Sequence, residues 1–430
     1  MENYRKRLHN AIPGGAHTYS RGDDQFPENA PSILERGKGA YIWAPDGKKY
    51  LDYGMGLRSV TIGYAYESIM EAAYDAIKKG NNLTRPSTVE LEAAELIKKL
   101  IPSADLVKFA KNGSNVTTAA VKLARAYTKR KYVALCDIGS FFSFDDWYIG
   151  LTPMDDGIPE EHKQLSLKFS YNDIDSVKKL FDEYPNQIAA VILEPVTFEE
   201  PKDNFLQDLR KLCTEQGAVL IFDEMISGFR WHIGGAQAYY NVKPDLTTFG
   251  KAMANGFSVA ALCGKQEIME LGGLNHNKER VFLISTTHGA EMSGLAAFIA
   301  TTKVLQEKKV IEHMWDYGKK LQTGMNKLAK EKGIDSYFEV VGCPPSPNYI
   351  ARDENGNASF EFRTLYSQEM VNNEVLMPWI ALSYSHQEKE LELTFDAVSK
   401  SFDIYRKAID EGIKNYLKSK PVKPVFRKFN

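Results

Sequence analysis

Short apolar runs separated by helix-like stretches dominate the middle of the chain. Between residues 66 and 310 these runs are LVKFA, YVALC, IAAVILEPV, AVLIFDE, DLTTFG and VAALCG. Runs without polar alternation are typical of strands buried on both faces, and helices between such strands are typical of parallel pairing. We therefore expect residues 66–310 to form a large domain around a mostly parallel, doubly wound sheet.

The pattern differs on both sides of this region. Residues 1–65 are rich in glycine, proline and turn signals, and Asp46 and Gly47 between two alternating runs predict a β-hairpin. Residues 311–430 contain longer helical stretches around a few strands. The expected fold class is therefore α/β, with a smaller α+β domain built from the N-terminal arm and the C-terminal segment.

Composition argues against several kinds of partner. The chain has 430 residues with 54 basic and 56 acidic side chains, so its charge gives no reason to expect nucleic acid or a membrane surface. We find no apolar run of about 18 residues and no signal-like opening segment, so we expect a cytoplasmic protein. The cysteines are far apart, which indicates reduced thiols rather than disulfides or a metal site; they are Cys136, Cys213, Cys263 and Cys343.

Candidate chemistry follows the apolar runs, because ligands of open parallel sheets bind at the carboxyl ends of the strands. Gly113 and Ser114 open a helical pattern, whose backbone N–H groups either hold a phosphate or only begin a helix. Asp223 and Glu224 end an apolar run, where a carboxylate is either a turn residue or faces a cation. Lys251 follows DLTTFG, and its amine either reaches solvent or is held in the site.

Taken together, these residues suit one cofactor. Pyridoxal 5′-phosphate (PLP) needs a helix N-terminus for its phosphate, a carboxylate facing its ring nitrogen and a lysine amine that condenses with its aldehyde. We therefore expect Lys251 to form a Schiff base with PLP. The sequence contains no HExxH, GxSxG, Walker or GxGxxG motif that would favour another chemistry.

Three stretches carry a resemblance to a known family: FAKNGSNVTTAAVKLARAYT, LIFDEMISGFR and PDLTTFGKAMANG. In their order and separation they resemble the class III aminotransferases, and within them the glutamate-1-semialdehyde aminomutase subgroup, over nearly the whole chain. The resemblance implies PLP fold type I, with Lys251 attached to the cofactor and Asp223 paired with the pyridine nitrogen. It also implies that Gly113 and Ser114 bind the phosphate.

The same resemblance implies further site residues. Phe141 takes the position of the aromatic residue that stacks on the cofactor ring, and Glu194 is a further cofactor-binding residue. Thr287, with Thr286 as the lesser candidate, reaches the phosphate of a neighbouring subunit, so a homodimer with a shared active site is expected. Arg21 takes the position of an arginine that holds a substrate carboxylate.

Other positions depart from the family pattern. Arg58, in GMGLRSV, has no counterpart that we can place; it either binds a second anionic group of the substrate or is an exposed or structurally paired arginine. Phe142 and Phe144, with Ser143 between them, stand where the subgroup has histidines, so we expect a less polar pocket there. The stretches TTHGAEM and AMANGFS also differ from that pattern.

The expected activity is the transfer of an amino group from an amino-acid donor, glutamate by resemblance, to a keto or aldehyde acceptor. The altered loops and the tail KPVFRKFN resemble aminotransferases of bacterial surface-polysaccharide sugars, which makes a sugar-type intermediate the candidate acceptor. The alternatives are a glutamate-1-semialdehyde-like 2,1-aminomutase, a PLP-dependent decarboxylase or racemase, and a non-enzymatic scaffold. The sequence does not separate the enzymatic alternatives, because the reaction depends on which Cα bond is aligned with the cofactor.

Overall fold

The computed structural model describes residues 3–137 and 140–429. The strands of this part of the chain, β1 to β13 in order, are Arg36–Lys38, Tyr41–Trp43, Lys49–Asp52, Leu106–Ala110, Tyr132–Cys136, Ser166–Phe169, Ile188–Leu193, Val219–Asp223, Leu246–Phe249, Ala260–Gly264, Phe338–Val341, Asn348–Ala351 and Val375–Leu376. Its right-handed helices, α1 to α14, are Tyr4–Ala11, Glu67–Lys78, Thr88–Leu100, Gly113–Thr128, Asp146–Ile149, Glu160–Lys163, Ile174–Glu183, Phe205–Gln216, Ala236–Tyr239, Gln266–Met269, Met292–Glu307, Val310–Glu331, Phe360–Asn372 and Glu388–Glu411. Its short 3₁₀ helices are Pro13–Gly15, Tyr19–Arg21, Asp23–Gln25, Lys251–Ala254, Glu270–Gly272 and Ile413–Asn415.

The chain divides into two compact units. The first contains the residues up to Tyr66 and Glu312–Phe426, and the second contains Glu67–Ile311 and the residues from Arg427. A seven-stranded sheet lies in the second unit, and sheets of four and two strands lie in the first. Within residues 3–137 and 140–429, no helix has both the length and the apolar character that crossing a membrane requires.

The large sheet has the strand order β4-β10-β9-β8-β7-β5-β6. Neighbours from β9 through β8, β7 and β5 to β6 pair in parallel, and β10 runs antiparallel to both β9 and β4. Each apolar run of the sequence forms one of these strands, so the predicted, mostly parallel sheet is confirmed. The edge strand β6 was not predicted, because its residues Ser-Leu-Lys-Phe lack an all-apolar run.

Burial on both faces explains why these strands are so apolar. Every residue of β7 is buried, and on one face Val191 and Leu193 pack with Val177 of α7 and Leu209 of α8. Helix α4 packs against β7, β8, β9 and β10. Parallel strands covered in this way satisfy their backbone groups within the sheet and remove both faces from water. The layers fix the carboxyl ends of the strands in space.

Both ends of the chain build the first unit. Strands β2 and β3 form the predicted hairpin, in which the Ala44 N–H donates to the Lys48 carbonyl oxygen at 3.0 Å and Gly47 has φ +84°. Strand β13 then pairs in parallel with β3, with Val375 opposite Leu51. The expected smaller domain, made of N-terminal and C-terminal segments, is therefore confirmed in its composition.

Candidate active site

Asp223 is a buried carboxylate at the end of β8. Asp223 is only 2% exposed. Its carboxylate accepts hydrogen bonds from the Thr248 hydroxyl at 2.9 Å and from the Met225 N–H at 3.1 Å. Burial raises the pKa of Asp223 to about 6, although the charge of Lys251 and both hydrogen bonds oppose this rise. Because both donors are neutral, the buried carboxylate is suited to a cationic partner.

Lys251 follows the neighbouring strand β9. The chain passes through Gly250 in an extended conformation and then begins the 3₁₀ helix Lys251–Ala254, with Lys251 at φ +42°. A Cβ on Gly250 would meet the terminal methyl group of Met225, so that flexible side chain would have to move. The charge of the Lys251 amine acts on the Asp223 carboxylate and lowers its pKa.

The first turn of α4 follows β4, another strand of the same sheet. The Asn112 side chain accepts a hydrogen bond from the Asn115 N–H at 3.0 Å, which begins the helix at Gly113. The N–H groups of Gly113 and Ser114 have no acceptor within the helix, as in the first turn of any helix. Ser114 is buried, and its hydroxyl oxygen accepts a hydrogen bond from the Phe144 N–H at 3.1 Å. This turn suits an anion.

An aromatic segment lies beside this helix. Phe141 is 53% exposed and meets the ring of Tyr148 edge-on, with 5.7 Å between centroids. Phe142 is buried, and its carbonyl oxygen accepts a hydrogen bond from the Thr117 hydroxyl at 2.6 Å. Phe144 is exposed. Phe142 and Phe144 were expected to make a pocket less polar, but only Phe144 is exposed, because Phe142 packs in the interior. The ring of Phe141 is also exposed at the surface of this unit.

Ser143 stands between these rings. It is fully buried, its hydroxyl donates to Asp145 at 3.1 Å, and it also contacts the Thr118 hydroxyl at 3.0 Å. The Trp147 Nε1–H donates to the same Thr118 oxygen at 2.8 Å. The side chains of α4 thus hold the segment that carries Phe141.

Glu194 directly follows β7 and is almost fully buried. Burial raises the pKa of the Cys136 thiol to about 12, and the charges of Asp137 and Glu194 add to this rise. Residues Leu193 and Phe222 are paired in β7 and β8, so Glu194 and Asp223 leave adjacent strands at the same end of the sheet.

Thr286 and Thr287 lie in an irregular segment before α11. Both are exposed, and the Thr286 carbonyl oxygen accepts a hydrogen bond from the Gly289 N–H at 3.1 Å. Within the described residues, the Thr287 side chain forms no hydrogen bond.

Arg21 belongs to the first unit, where it ends the 3₁₀ helix Tyr19–Arg21 and is exposed. Asp23, two positions further along the chain, pairs with Arg5 at 3.2 Å and with His9 at 2.8 Å. Burial raises the pKa of Tyr64 well above its ordinary value, and the charge of Arg21 opposes this rise.

Arg58 also belongs to the first unit, at the end of the left-handed turn Met55–Arg58. Its φ is +65°, and its Cζ lies 5.9 Å from the centroid of the Trp379 ring. A non-glycine residue in the left-handed region costs roughly 1–2 kcal/mol. The surroundings of Arg58 must therefore impose this conformation.

Two side chains that the sequence analysis missed hold this turn. Asp52 accepts hydrogen bonds from the N–H groups of Gly54 at 2.7 Å and Met55 at 2.9 Å. The Tyr64 hydroxyl donates to Asp52 at 2.7 Å and accepts from the Gly56 N–H at 2.7 Å. The signal in the sequence was the pair of glycines directly after the strand, in LDYGMG, which indicates an unusual backbone conformation.

Four of the predicted positions therefore lie at the same end of one sheet, where the carboxyl ends of its strands are. The first turn of α4, Glu194, Asp223 and Lys251 follow the carboxyl ends of β4, β7, β8 and β9, which all run in the same direction. A buried carboxylate with neutral donors, a lysine amine, a helix N-terminus and an exposed aromatic ring fit PLP. The fold is that of PLP enzymes of fold type I, and these residues are chemically suited to that cofactor.

Comparisons with known proteins identify the family. The sequence model of class III aminotransferases matches residues 24–340. The 3-aminobutyryl-CoA aminotransferase of Cloacimonas acidaminovorans (strain Evry) is 29% identical over 408 residues, which cover 93% of this chain and 95% of that protein. The glutamate-1-semialdehyde 2,1-aminomutase of Syntrophobacter fumaroxidans is 31% identical over 415 residues, covering 91% of this chain and 94% of that protein.

A solved structure agrees with these relatives. The FumI protein of Sphingopyxis sp. MTA144, in its PLP internal aldimine form, matches with a TM-score of 0.86 at 25% identity, covering 98% of both chains. The chain belongs to the class III aminotransferases. It is a PLP-dependent aminotransferase that acts on a small-molecule amino donor and acceptor.

Proposed function

We propose that this enzyme moves an amino group from glutamate to a keto or aldehyde acceptor, with Lys251 and Asp223 as its catalytic residues. The observation that carries the proposal is that the buried carboxylate of Asp223 ends β8, while Lys251 directly follows the end of β9, the strand paired with β8. PLP, when bound, supplies an electron sink for the bond that breaks at the donor Cα. The protein must hold the cofactor, keep its ring nitrogen protonated and move one proton.

Asp223 would hold the proton at the ring nitrogen. An opposite charge within about 4–6 Å favours the ionised carboxylate, so a protonated pyridine ring would lower the Asp223 pKa from about 6. Lys251 would attach the cofactor through Nζ and, once a donor amine has displaced it, would act as the base that takes the proton from Cα and returns it at C4′.

The phosphate would lie at the first turn of α4. The N–H groups of Gly113 and Ser114 and the positive end of the helix dipole favour an anion there. The Ser114 oxygen already accepts a hydrogen bond from the Phe144 N–H, which leaves its own hydrogen to donate to a phosphate oxygen. Phe141 would cover one face of the ring, and Glu194 would contact the cofactor from the end of β7.

The donor carboxylate would bind Arg21. Arginine offers two parallel N–H donors to a carboxylate, and Arg21 is exposed, while the neighbouring Asp23 pairs with Arg5 and His9. The acceptor we propose is a sugar-type carbonyl intermediate of surface polysaccharide synthesis. This part rests on the altered loops and on the KPVFRKFN tail.

The active form would be a homodimer in which Thr287 reaches the phosphate bound by its partner. An apolar stripe on helix α2, formed by Met70, Tyr74 and Ile77, is exposed in the single chain. Exposed apolar surface of this kind marks association sites. We place the dimer in the cytoplasm, because all four cysteines are buried free thiols.

Hybrid dimers test the shared site. A Lys251→Ala subunit and a Thr287→Ala subunit, carrying different tags, are co-expressed and the mixed dimer is purified. If Thr287 serves the neighbouring site, one of the two sites is intact and about half of the wild-type activity returns. A hybrid without activity would assign Thr287 to its own subunit or remove it from the site.

A 2,1-aminomutase is the second candidate, and the 31% identity to a protein of that name favours it. Phe142 and Phe144 at the expected histidine positions argue for a different substrate. An amino-exchange experiment separates the two functions. The PLP-loaded enzyme is mixed with glutamate, the loss of the PLP absorbance is followed, and candidate acceptors are then added. Transamination requires both substrates and gives parallel double-reciprocal lines, whereas a mutase turns over one substrate alone.

A further inference from the structure

The segment that carries Arg21 has almost no apolar anchorage. From residue 3 to residue 25 no side chain is buried, and Gly22 is the one buried residue of this range. Its backbone forms two consecutive 3₁₀ turns, in which the Gly22 N–H donates to the Tyr19 carbonyl oxygen at 2.9 Å and the Gln25 N–H donates to the Gly22 carbonyl oxygen at 3.0 Å. Because few apolar groups are buried here, polar contacts must keep Arg21 in place.

The C-terminal end of the first unit supplies such contacts through residues 416–423, which we call the tail segment. The Lys423 N–H donates to the Asp24 carbonyl oxygen at 3.0 Å, and the Gln25 side-chain amide donates to the Lys423 carbonyl oxygen at 2.9 Å. The Ser419 hydroxyl oxygen accepts a hydrogen bond from the Glu28 N–H at 2.9 Å. The tail segment thus holds the chain at three points directly after Arg21.

Helix α13 fixes the tail segment in turn. The Gln368 side-chain oxygen accepts a hydrogen bond from the Ser419 N–H at 3.1 Å, and its amide donates to the Tyr416 carbonyl oxygen at 3.1 Å. The Thr364 hydroxyl oxygen accepts from the Val422 N–H at 2.8 Å. Gln368 and Thr364 are buried, so these bonds are shielded from water. The tail segment is therefore a fixed support for the residues that it contacts.

The contacts on the other side of Arg21 are weaker. Asp23 pairs with Arg5 and His9, but the side chains of these pairs are 35–46% exposed. Ion pairs at this exposure contribute little. Ser419, in contrast, is buried, so water competes less for its hydrogen bond with Glu28. The tail segment is accordingly the stronger of the two supports of the Arg21 segment.

We propose that the tail segment positions Arg21 for the donor carboxylate by fixing the backbone from Asp24 to Glu28. This inference rests on the proposed function, in which Arg21 binds that carboxylate. Ser419 and Lys423 are then positioning residues that act through the Arg21 segment. When a smaller fraction of molecules has this segment in place, the apparent affinity for the donor falls by that fraction. The rate at saturating donor stays the same, because the chemical groups of the site are unchanged.

Two substitutions remove different contacts of the tail segment. Ser419→Ala removes the acceptor of the Glu28 N–H, and Lys423→Pro removes the N–H that donates to Asp24. The donor half-reaction of the PLP-loaded full-length enzyme is followed by absorbance at increasing glutamate concentration. In each variant we expect the half-saturating glutamate concentration to rise about fivefold, with an unchanged limiting rate and PLP content.

Amide hydrogen exchange measures the order of the Arg21 segment without any donor. The N–H groups of Gly22 and Gln25 bond within the segment, so neither substitution removes their acceptors. Their exchange should nevertheless become faster in both variants, because the segment opens more often. Ser419→Thr keeps the hydroxyl and Lys423→Ala keeps the N–H, so these two controls should match the wild type in exchange and in half-saturation.

A double substitution separates a positioning role from a general structural one. In an Arg21→Lys background, Ser419→Ala should raise the half-saturating concentration by less than it does alone, because both changes act on the same interaction. Unchanged exchange, an unchanged half-saturating concentration, or a fall in limiting rate and PLP content in Ser419→Ala would overturn the inference. A wild-type enzyme that does not react with glutamate would instead contradict the proposed function itself.

Discussion

The hydroxyl of Thr248 donates a 2.9 Å hydrogen bond to the carboxylate of Asp223, and the two residues stand opposite each other in the parallel strands β9 and β8. The bond fixes the carboxylate on rigid strands rather than on a loop. Since Lys251 lies only three positions beyond Thr248, the same pair of strands positions the acid and the amine. Each element of the proposed chemistry can therefore be tested by a single substitution.

Asp223→Asn is expected to stabilise the cofactor-free protein at neutral pH. The Asp223 pKa rises from 3.8 to about 6 on folding because of burial, so the folded state binds more protons between these pH values. The contribution of Asp223 to the free energy of unfolding therefore falls as the pH rises from 3.8 to about 6, and it stays constant above about pH 6. The difference in the free energy of unfolding between Asp223→Asn and the wild type should grow by at most about 3 kcal/mol from pH 4 to pH 7.

Urea unfolding of both proteins, freed of PLP, measures this advantage at several pH values. The comparison between variant and wild type cancels the contributions of other titrating groups. An advantage that is independent of pH, or that grows toward low pH, would show that Asp223 is not a buried carboxylate with a raised pKa. In the PLP-loaded proteins the order should reverse, because the wild-type carboxylate gains a cationic partner.

Lys251→Ala should lose the covalent link to PLP together with turnover. The amine is the group that condenses with the aldehyde, and alanine offers no replacement. Mass spectrometry after borohydride reduction should find PLP on Lys251 in the wild type and no adduct in the variant. An adduct on another lysine with normal activity would move the nucleophile elsewhere in the chain.

Ser114→Ala should weaken PLP binding about five- to tenfold. The substitution removes one hydrogen bond to the phosphate and the acceptor of the Phe144 N–H, and a net hydrogen bond contributes roughly 1–1.5 kcal/mol. Titration of the cofactor-free protein with PLP gives the Kd. Thr128→Ala is the control, because Thr128 hydrogen-bonds to Ala124 at the opposite end of the same helix. Equal effects in both variants would assign the loss to helix stability.

Arg21→Lys should lower kcat/KM for the donor, with a loss of about 1.5–3 kcal/mol in transition-state stabilisation. The reason is that lysine replaces two parallel charge-assisted hydrogen bonds with a point charge. The PLP content should be unchanged. Arg36→Lys serves as the control, since Arg36 stacks on Trp43 at 3.7 Å in the same unit. Measured beside Arg58→Lys, an unaffected Arg21 variant and a strongly impaired Arg58 variant would move the carboxylate site to Arg58.

Apolar runs predicted the large sheet well because strands covered on both faces exclude polar residues. The same rule hid two features. Strand β6 lies at the edge and carries Lys168, so its pattern is weak. Thr248 sits inside an apolar run as an apparent exception, yet its hydroxyl is the partner of Asp223. A polar residue within a buried run indicates a hydrogen-bond partner, but the sequence does not say which one.

Interactions between distant segments could not be predicted from the sequence, because local patterns do not show which distant residues come together. Nothing near Arg21 indicated that Asp23 would pair with Arg5 and His9. The turn that carries Arg58 depends on Tyr64 and on Trp379, which is more than 300 positions away. Left-handed φ values at Leu57 and Arg58 contradict local preference, so they follow from the folded unit and not from the residues themselves.

The pairing of β13 with β3 has a consequence for synthesis on the ribosome. Leu51 and Asp52 acquire their strand partners, Val375 and Leu376, only when most of the chain has been translated. At about 5–20 residues per second, the N-terminal segment waits roughly 15–65 s with that edge of its sheet open. A nascent strand edge of this kind is open to other chains, so we expect the N-terminal segment to be the part that chaperones protect during translation.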